Sequence, residues 1–418
     1  MTDTDSPTDG PLEGIRVLDL AGPIGVYCGK LWADMGADVI KIEPPTGDPM
    51  RCLGPFYKDQ VHPEKSLYFF HYNTSKRGIT LNLNTADGRE IFKRLVKTAD
   101  IVLETFPPAY MESLGLGYVH LKELNPGLIM TSITPFGQTG PYREYKSSDL
   151  VGQALSGWTN TVGNVGERPT WPSVELGYHH VSISASAGTL VALYHRDMAG
   201  EGQHVDVSMH EAGAMVAAST VQSWDVRQEI TSRRQATPTR GGWGIFQCKD
   251  GYVYSVPRDG PPTKFFYEWL TEDGIEHDFW DPKWQDLTIV DSQGIPFRSQ
   301  PENIERMNRI LTPWFMNHTM QELAERGQDH HLSFIPYNDI KTVVEDPQLE
   351  VREFFVELEH PLMEEALRDA GAPFNFSETP WRIRRRPPLI GEHNREIYIE
   401  ELGYTKEQLA LLRAAGAI

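Results

Sequence analysis

Apolar and polar positions keep two rhythms through the first half of the chain. Residues 15–20, Ile-Arg-Val-Leu-Asp-Leu, read as a short strand that Gly22, Pro23 and Gly25 turn into a helical stretch ending near Met35, where Gly36 closes it. Residues 38–43 read as a second strand, and strand, helix and strand together predict a right-handed βαβ unit. The pattern recurs. Residues 87–98 put Ile91, Leu95 and Val96 on one helical face, and a strand follows over 101–104. A helical stretch over 119–124 leads through Asn125-Pro-Gly127 to a strand over 128–133. Such alternation predicts an α/β domain with a mostly parallel sheet.

Residues 181–195 predict a helix packed closely against something large, because Ser182, Ser184, Ala185, Ser186, Ala187 and Gly188 carry almost no side-chain bulk. Its nearly apolar stretch, 183–194, reads as a buried helix and falls short of the ~18 residues that span a bilayer. Another strand is expected over 203–209, with Val205 and Val207 alternating. From 222 to 338 the βα alternation is lost, which predicts a second, smaller domain. Residues 1–10 read as a disordered tail without the basic start or apolar middle of a signal peptide, and a final helix is expected over 406–415.

Composition narrows the function classes. The 418 residues are 39% hydrophobic, enough for a sizeable core, and a formal net charge of −19 repels nucleic acid and anionic membranes. Cys28, Cys52 and Cys248 show no zinc or disulfide spacing and fit a reducing cytosol, so a cytoplasmic location is expected.

Candidate chemistry is sparse. Gly22-Pro-Ile-Gly25 between strand and helix is a weak anion-binding signal that a tight turn explains equally well, and no dinucleotide or Walker motif is present. Asn73-Thr-Ser-Lys-Arg77 stands out more: its two cations suit a polyphosphate, Arg77 by paired hydrogen bonds and Lys76 as a point charge. The alternative is a solvated strand edge. The pairs His179-His180 and His330-His331 lack further ligands at metal spacing, so no metal is expected; Cys248 reads as a buried structural thiol.

Several segments, taken in order along nearly the whole chain, resemble the class III CoA-transferase family (CaiB/BaiF-like), which includes formyl-CoA transferase, carnitine CoA-transferase and α-methylacyl-CoA racemase. They include Leu12-Glu-Gly-Ile-Arg-Val-Leu-Asp19, Ala33-Asp-Met-Gly-Ala-Asp-Val-Ile-Lys-Ile-Glu-Pro-Pro-Thr-Gly-Asp48, Lys76-Arg77, Phe136-Gly-Gln-Thr-Gly-Pro-Tyr142, Gly200-Glu-Gly-Gln-His-Val-Asp-Val207 and Gly391-Glu-His393. The resemblance implies a Rossmann-like large domain built from both chain ends (11–221 and 339–418), a small domain with linkers inserted at 222–338, and an interlocked dimer. It implies that Asn73, Lys76 and Arg77 bind the CoA nucleotide, and that a CoA thioester is a substrate with no permanently bound cofactor.

In the family an aspartate carboxylate attacks the donor thioester, giving a mixed anhydride and CoA thiolate, which returns to form an aspartyl-CoA thioester. That aspartate lies ten residues before the first glycine of Gly188-Thr-Leu-Val-Ala-Leu193, and the same count in this chain reaches Tyr178. A phenol forms an aryl ester but never carries CoA as a thioester. Glu104-Thr-Phe-Pro-Pro-Ala109 also departs from the family's Glu-Asn-Phe-x-Pro-Gly, and Ser113 stands where an Arg is usual. The resemblance therefore implies no catalytic residue in this chain. It points to a subunit of a heteromeric CoA-transferase whose homologous partner supplies the aspartate, moving CoA from an acyl-CoA such as succinyl-CoA to a carboxylic acid. Comparable heteromers act in anaerobic aromatic degradation, on benzylsuccinate for example. The alternatives are a homodimeric transferase using Glu175, three positions before Tyr178, and a CoA-binding scaffold or sensor.

Overall fold

A computed structural model describes residues 10–163, 166–231, 240–256, 261–286 and 288–418. Of the tail expected over 1–10, residues 1–9 lie outside these, while Gly10 is buried and its carbonyl accepts the Glu13 N–H. The chain divides into two units. One comprises the described residues of Met1–Asn160, Thr170–Thr231 and Glu350–Ile418, and the other those of Thr161–Pro169 and Ser232–Leu349. The boundary expected at 222 falls inside the helix Ala218–Arg227, which belongs wholly to the first unit.

The first unit is built on six strands, β1 (Arg16–Leu20), β2 (Asp38–Glu43), β3 (Arg77–Thr80), β4 (Ile101–Glu104), β5 (Ile129–Thr134) and β6 (His204–Ser208), in the order β3-β2-β1-β4-β5-β6. Every pairing is parallel, with Val17 opposite both Val39 and Ile101. Helices cover both faces of such a sheet, which is why successive residues of β1, β2, β4 and β5 are buried instead of alternating with exposed ones. Successive crossovers lead away from β1 in opposite directions, so a crevice opens outside the carboxyl ends of β1 and β4.

The helix Val26–Asp34 follows β1, and Arg384 from the basic run near the C-terminus donates to the Ala33 carbonyl in its last turn and to those of Gly36 and Ala37 just beyond it. This is the favoured end of a helix for a cation. Trp32, fully buried on that helix, is the large body that presses on the small-residue stripe, and its indole N–H donates to Ser186 Oγ at 2.9 Å.

The helix carrying that stripe runs over Leu176–Ala199, five residues earlier than expected. Its small face is buried at Val181, Ser182, Ala185, Ser186 and Thr189. The apolar stretch 183–194 is not buried throughout, however: Ile183, Val191 and Tyr194 face outward, because one side of the helix alone packs on the sheet. No described helix is long and apolar enough to cross a membrane.

The second unit holds the antiparallel strands β7 (Gly244–Gln247), β8 (Tyr252–Val256) and β9 (Ser333–Pro336). Its core is aromatic, with Trp269, Trp284, Trp314, Phe266 and Phe315. Cys248 is buried beside β7, and burial pushes its thiol up to about 11. In the first unit a hairpin of β10 (Phe355–Leu358) and β11 (Leu367–Ala370) follows.

Candidate active site

A cavity of about 740 Å³ opens at the carboxyl ends of the parallel strands. Residues that end β1, β2 and β4 or directly follow them form its walls, among them Leu20, Ile24, Ile42, Thr105 and Phe106; Leu81 and Leu83 come from the chain after β3. This is where an open α/β sheet binds its ligand, since strand ends and helix starts converge there. Thr105 closes the wall by accepting the Gly22 N–H at 2.8 Å, so the turn after β1 is tied to the loop after β4.

Tyr178 lines this cavity from the first turn of the long helix. Beneath it lies Asp149, the first residue of the helix Asp149–Leu155. The Asp149 carboxylate is buried, accepts the Tyr178 backbone N–H at 3.0 Å, and is also held by Gln153 Nε2 and the Trp171 indole at 3.4 Å. It thus does for the long helix what an N-cap does, where Glu175 makes no side-chain cap. Gly177 is required for this approach, because a Cβ there would come 2.8 Å from Asp149 Oδ1. The phenol of Tyr178 is held above its ordinary pKa by burial and by the nearby carboxylates of Glu175 and Asp149. It is neutral at physiological pH.

Glu175 does not line the cavity. It is the residue just before the helix that carries Tyr178, which begins at Leu176, so the two do not share a helical face. Its carboxylate instead accepts the Tyr68 hydroxyl at 2.7 Å, and burial together with that carboxylate raises the Tyr68 pKa.

Asn73, Lys76 and Arg77 are close in space but turned inward, away from the cavity lining. Lys76 Nζ donates to Asp19 Oδ2 at 2.8 Å and Asn73 Oδ1 at 3.0 Å, with all three side chains fully buried. Gly29 permits the pair, since a Cβ at that position would meet the Asp19 carboxylate at 2.5 Å. Arg77 binds Asp38 through two nitrogens and also reaches Glu396 and Glu401. These cations bond carboxylates that join β3 to β1, β2 and the C-terminal segment.

Two further acids escaped the sequence reading. Asp149 is one; its signal was the glycine that lets it approach. Glu104 is the other, buried at the end of β4, where desolvation raises its carboxyl to about 7 against the hydrogen bonds it accepts from Ser132 and the Phe106 N–H. Ser132 Oγ lies 2.9 Å from His204 Nε2, and the His204 ring stacks on Tyr118. Glu104 thereby anchors the loop whose Thr105, Phe106 and Tyr110 face the cavity.

Known proteins share this architecture and sequence. The chain is 35% identical over 408 residues to the succinyl-CoA:(R)-benzylsuccinate CoA-transferase subunit BbsE of Thauera aromatica, covering 96% of this chain and 97% of that one. It is 31% identical to the succinyl-CoA–D-citramalate CoA-transferase of Chloroflexus aurantiacus, covering 98% of each. A CaiB/BaiF family protein from Brucella suis superposes with a TM-score of 0.81 at 27% identity, over 94% of this chain and 99% of the other. The model of CoA-transferase family III matches residues 12–394, and the chain belongs to that family.

Proposed function

We propose that this chain is the subunit without the catalytic aspartate in a heteromeric class III CoA-transferase, and that a homologous partner supplies the carboxylate that carries CoA from an acyl-CoA to a carboxylic acid. The observation that carries this reading is Tyr178, a neutral phenol facing the cavity at the position where the family resemblance expects the nucleophile. The other acids near the cavity are engaged: Glu43 with Arg51, Asp48 with Lys41, Glu144 with Arg143, Asp149 under the helix start and Glu175 with Tyr68. A carboxylate locked in a buried ion pair is a poor nucleophile, because attack would strip the partner cation of its counter-charge.

A partner chain is supported by exposed apolar side chains. Ile183, Val191, Tyr194 and Met198 on the long helix, with Met215, Val221 and Val226 beyond β6, are each more than half exposed. The four on the long helix recur at helical spacing on one side, and exposed apolar surface of this kind marks a protein interface. The name of the Thauera relative, a subunit acting with succinyl-CoA and benzylsuccinate, supports a heteromer and makes succinyl-CoA and an aromatic acid the first substrates to test.

The test is CoA transfer from succinyl-CoA to benzylsuccinate by the chain alone and together with an aspartate-bearing homologue, with hydroxylamine trapping and peptide mapping. Transfer is expected only with the partner, and the hydroxamate only on the partner's aspartate. Turnover by the chain alone, or a modified Glu175, overturns the reading.

A further inference from the structure

We propose that Glu104, Ser132 and His204 form a proton relay across β4, β5 and β6, through which a buried carboxyl exchanges its proton with solvent at the sheet edge and switches the anchor of the loop 105–110 with pH.

The parallel register builds the path. Glu104 stands opposite Ser132 and Ser132 opposite Asp206, so the three lie in a row on one face of the sheet, and His204, two residues before Asp206, comes up on that same face. Glu104 and Ser132 are 3% and 1% exposed, whereas His204 opens the edge strand β6 and is exposed. The Ser132 hydroxyl bonds the Glu104 carboxyl, and Ser132 Oγ lies 2.9 Å from His204 Nε2. Stacking on Tyr118, with the rings 5.7 Å apart, orients the imidazole. A hydroxyl between a carboxyl and an imidazole passes a proton in either direction, because it both donates and accepts.

The charges around the path set when it works. Burial raises the Glu104 carboxyl to about 7 against the hydrogen bonds from Ser132 and the Phe106 N–H, and the acids that face it, Glu112 on the helix Tyr110–Ser113 and Asp206 on β6, push the same way. From β1 it faces Leu20. Burial lowers the His204 imidazole in spite of Asp206 and Glu112, so His204 is neutral where Glu104 titrates. Glu201 and Lys122 stand by Tyr118 at the outer end.

When Glu104 ionises, its proton passes to Ser132 Oγ, the serine's own proton passes to His204 Nε2, and His204 Nδ1 releases its proton to water. One proton leaves the carboxyl and one reaches solvent. The imidazole goes from its Nδ1–H to its Nε2–H tautomer at constant charge. The Phe106 N–H, which donates to Glu104 Oε2 at 2.7 Å, then meets a carboxylate in place of a neutral acid, and a charged acceptor makes the stronger bond.

Nitrogen NMR of the histidine-labelled full chain tests this, with His204 assigned by the signal lost in His204→Gln. Above the ordinary histidine pKa of about 6.5, His204 is expected to change tautomer with a midpoint near 7, shared with the shift of the Phe106 amide. Glu104→Gln should hold His204 in one tautomer throughout. Ser132→Ala should leave the Phe106 amide titrating while His204 no longer follows it. A single His204 tautomer across the range in the parent chain, or a change of tautomer that survives either substitution, overturns the proposal.

Discussion

Lys76→Met separates a structural lysine from a ligand-binding one. The substitution removes the ammonium that donates to Asp19 at 2.8 Å, Asn73 at 3.0 Å and the Val26 carbonyl at 3.4 Å, and it leaves a fully buried carboxylate behind. Breaking a buried pair by removing one partner typically costs about 3–5 kcal/mol. Asp19 keeps the Ala21 N–H at 2.8 Å and the field of Lys41, so the expected loss lies near the lower end, about 3 kcal/mol. Urea unfolding at pH 7, with hydrogen exchange of the amides in Val26–Asp34, measures it. The pH dependence adds a second handle. Burial raises the Asp19 carboxyl, but Lys76 and Lys41 outweigh it and hold the group below its ordinary value. Its contribution in the parent chain is therefore present above the unfolded carboxylate pKa of about 3.9 and disappears as pH falls through the lower folded value. Without Lys76 the carboxyl moves up, so the gap between parent and variant is widest at neutral pH and narrows in acid. Adding Asp19→Leu to Lys76→Met should recover much of the loss, since an apolar pair strands no charge. A Lys76→Met protein as stable as the parent that instead loses affinity for CoA would refute the structural assignment.

Glu104→Gln should flatten the pH dependence of stability. The folded carboxyl at about 7 lies above its unfolded value, so the parent is fully stabilised below pH ~4.5 and loses roughly 3 kcal/mol as pH rises through 7, whereas glutamine still accepts the Phe106 N–H without titrating. Thermal melts from pH 5 to 8 give the comparison, and identical slopes would refute it. Gly177→Ala places a Cβ 2.8 Å from Asp149 Oδ1 and 3.2 Å from Gln153 Cγ; a loss of about 1–3 kcal/mol is expected, with faster amide exchange at the start of Leu176–Ala199. Thiol labelling under native conditions should modify Cys52, which is exposed, and spare Cys28 and Cys248, whose thiols burial pushes above the ordinary value; fast reaction at either buried site would contradict the core packing.

The sequence alone determined what depends on neighbours along the chain. Strand and helix periods, the turns between them and the parallel α/β class are local properties, and β1, β2 and the helix between them form close to where the apolar pattern put them. The ordered motifs carried the family, and the count back from Gly188 located Tyr178, which the fold then places on the cavity wall. Tertiary structure decided which charges remain available. Lys76 meets a carboxylate 57 residues away and Arg77 one 324 residues away, so no reading of Asn73-Thr-Ser-Lys-Arg77 by itself could show that its cations are already neutralised. It also decided which side of the long helix is covered, and that Glu175 stops one residue short of that helix and turns to Tyr68. A cation's partner and a side chain's cover are set by segments brought together only on folding, and that is where local pattern ceases to determine chemistry.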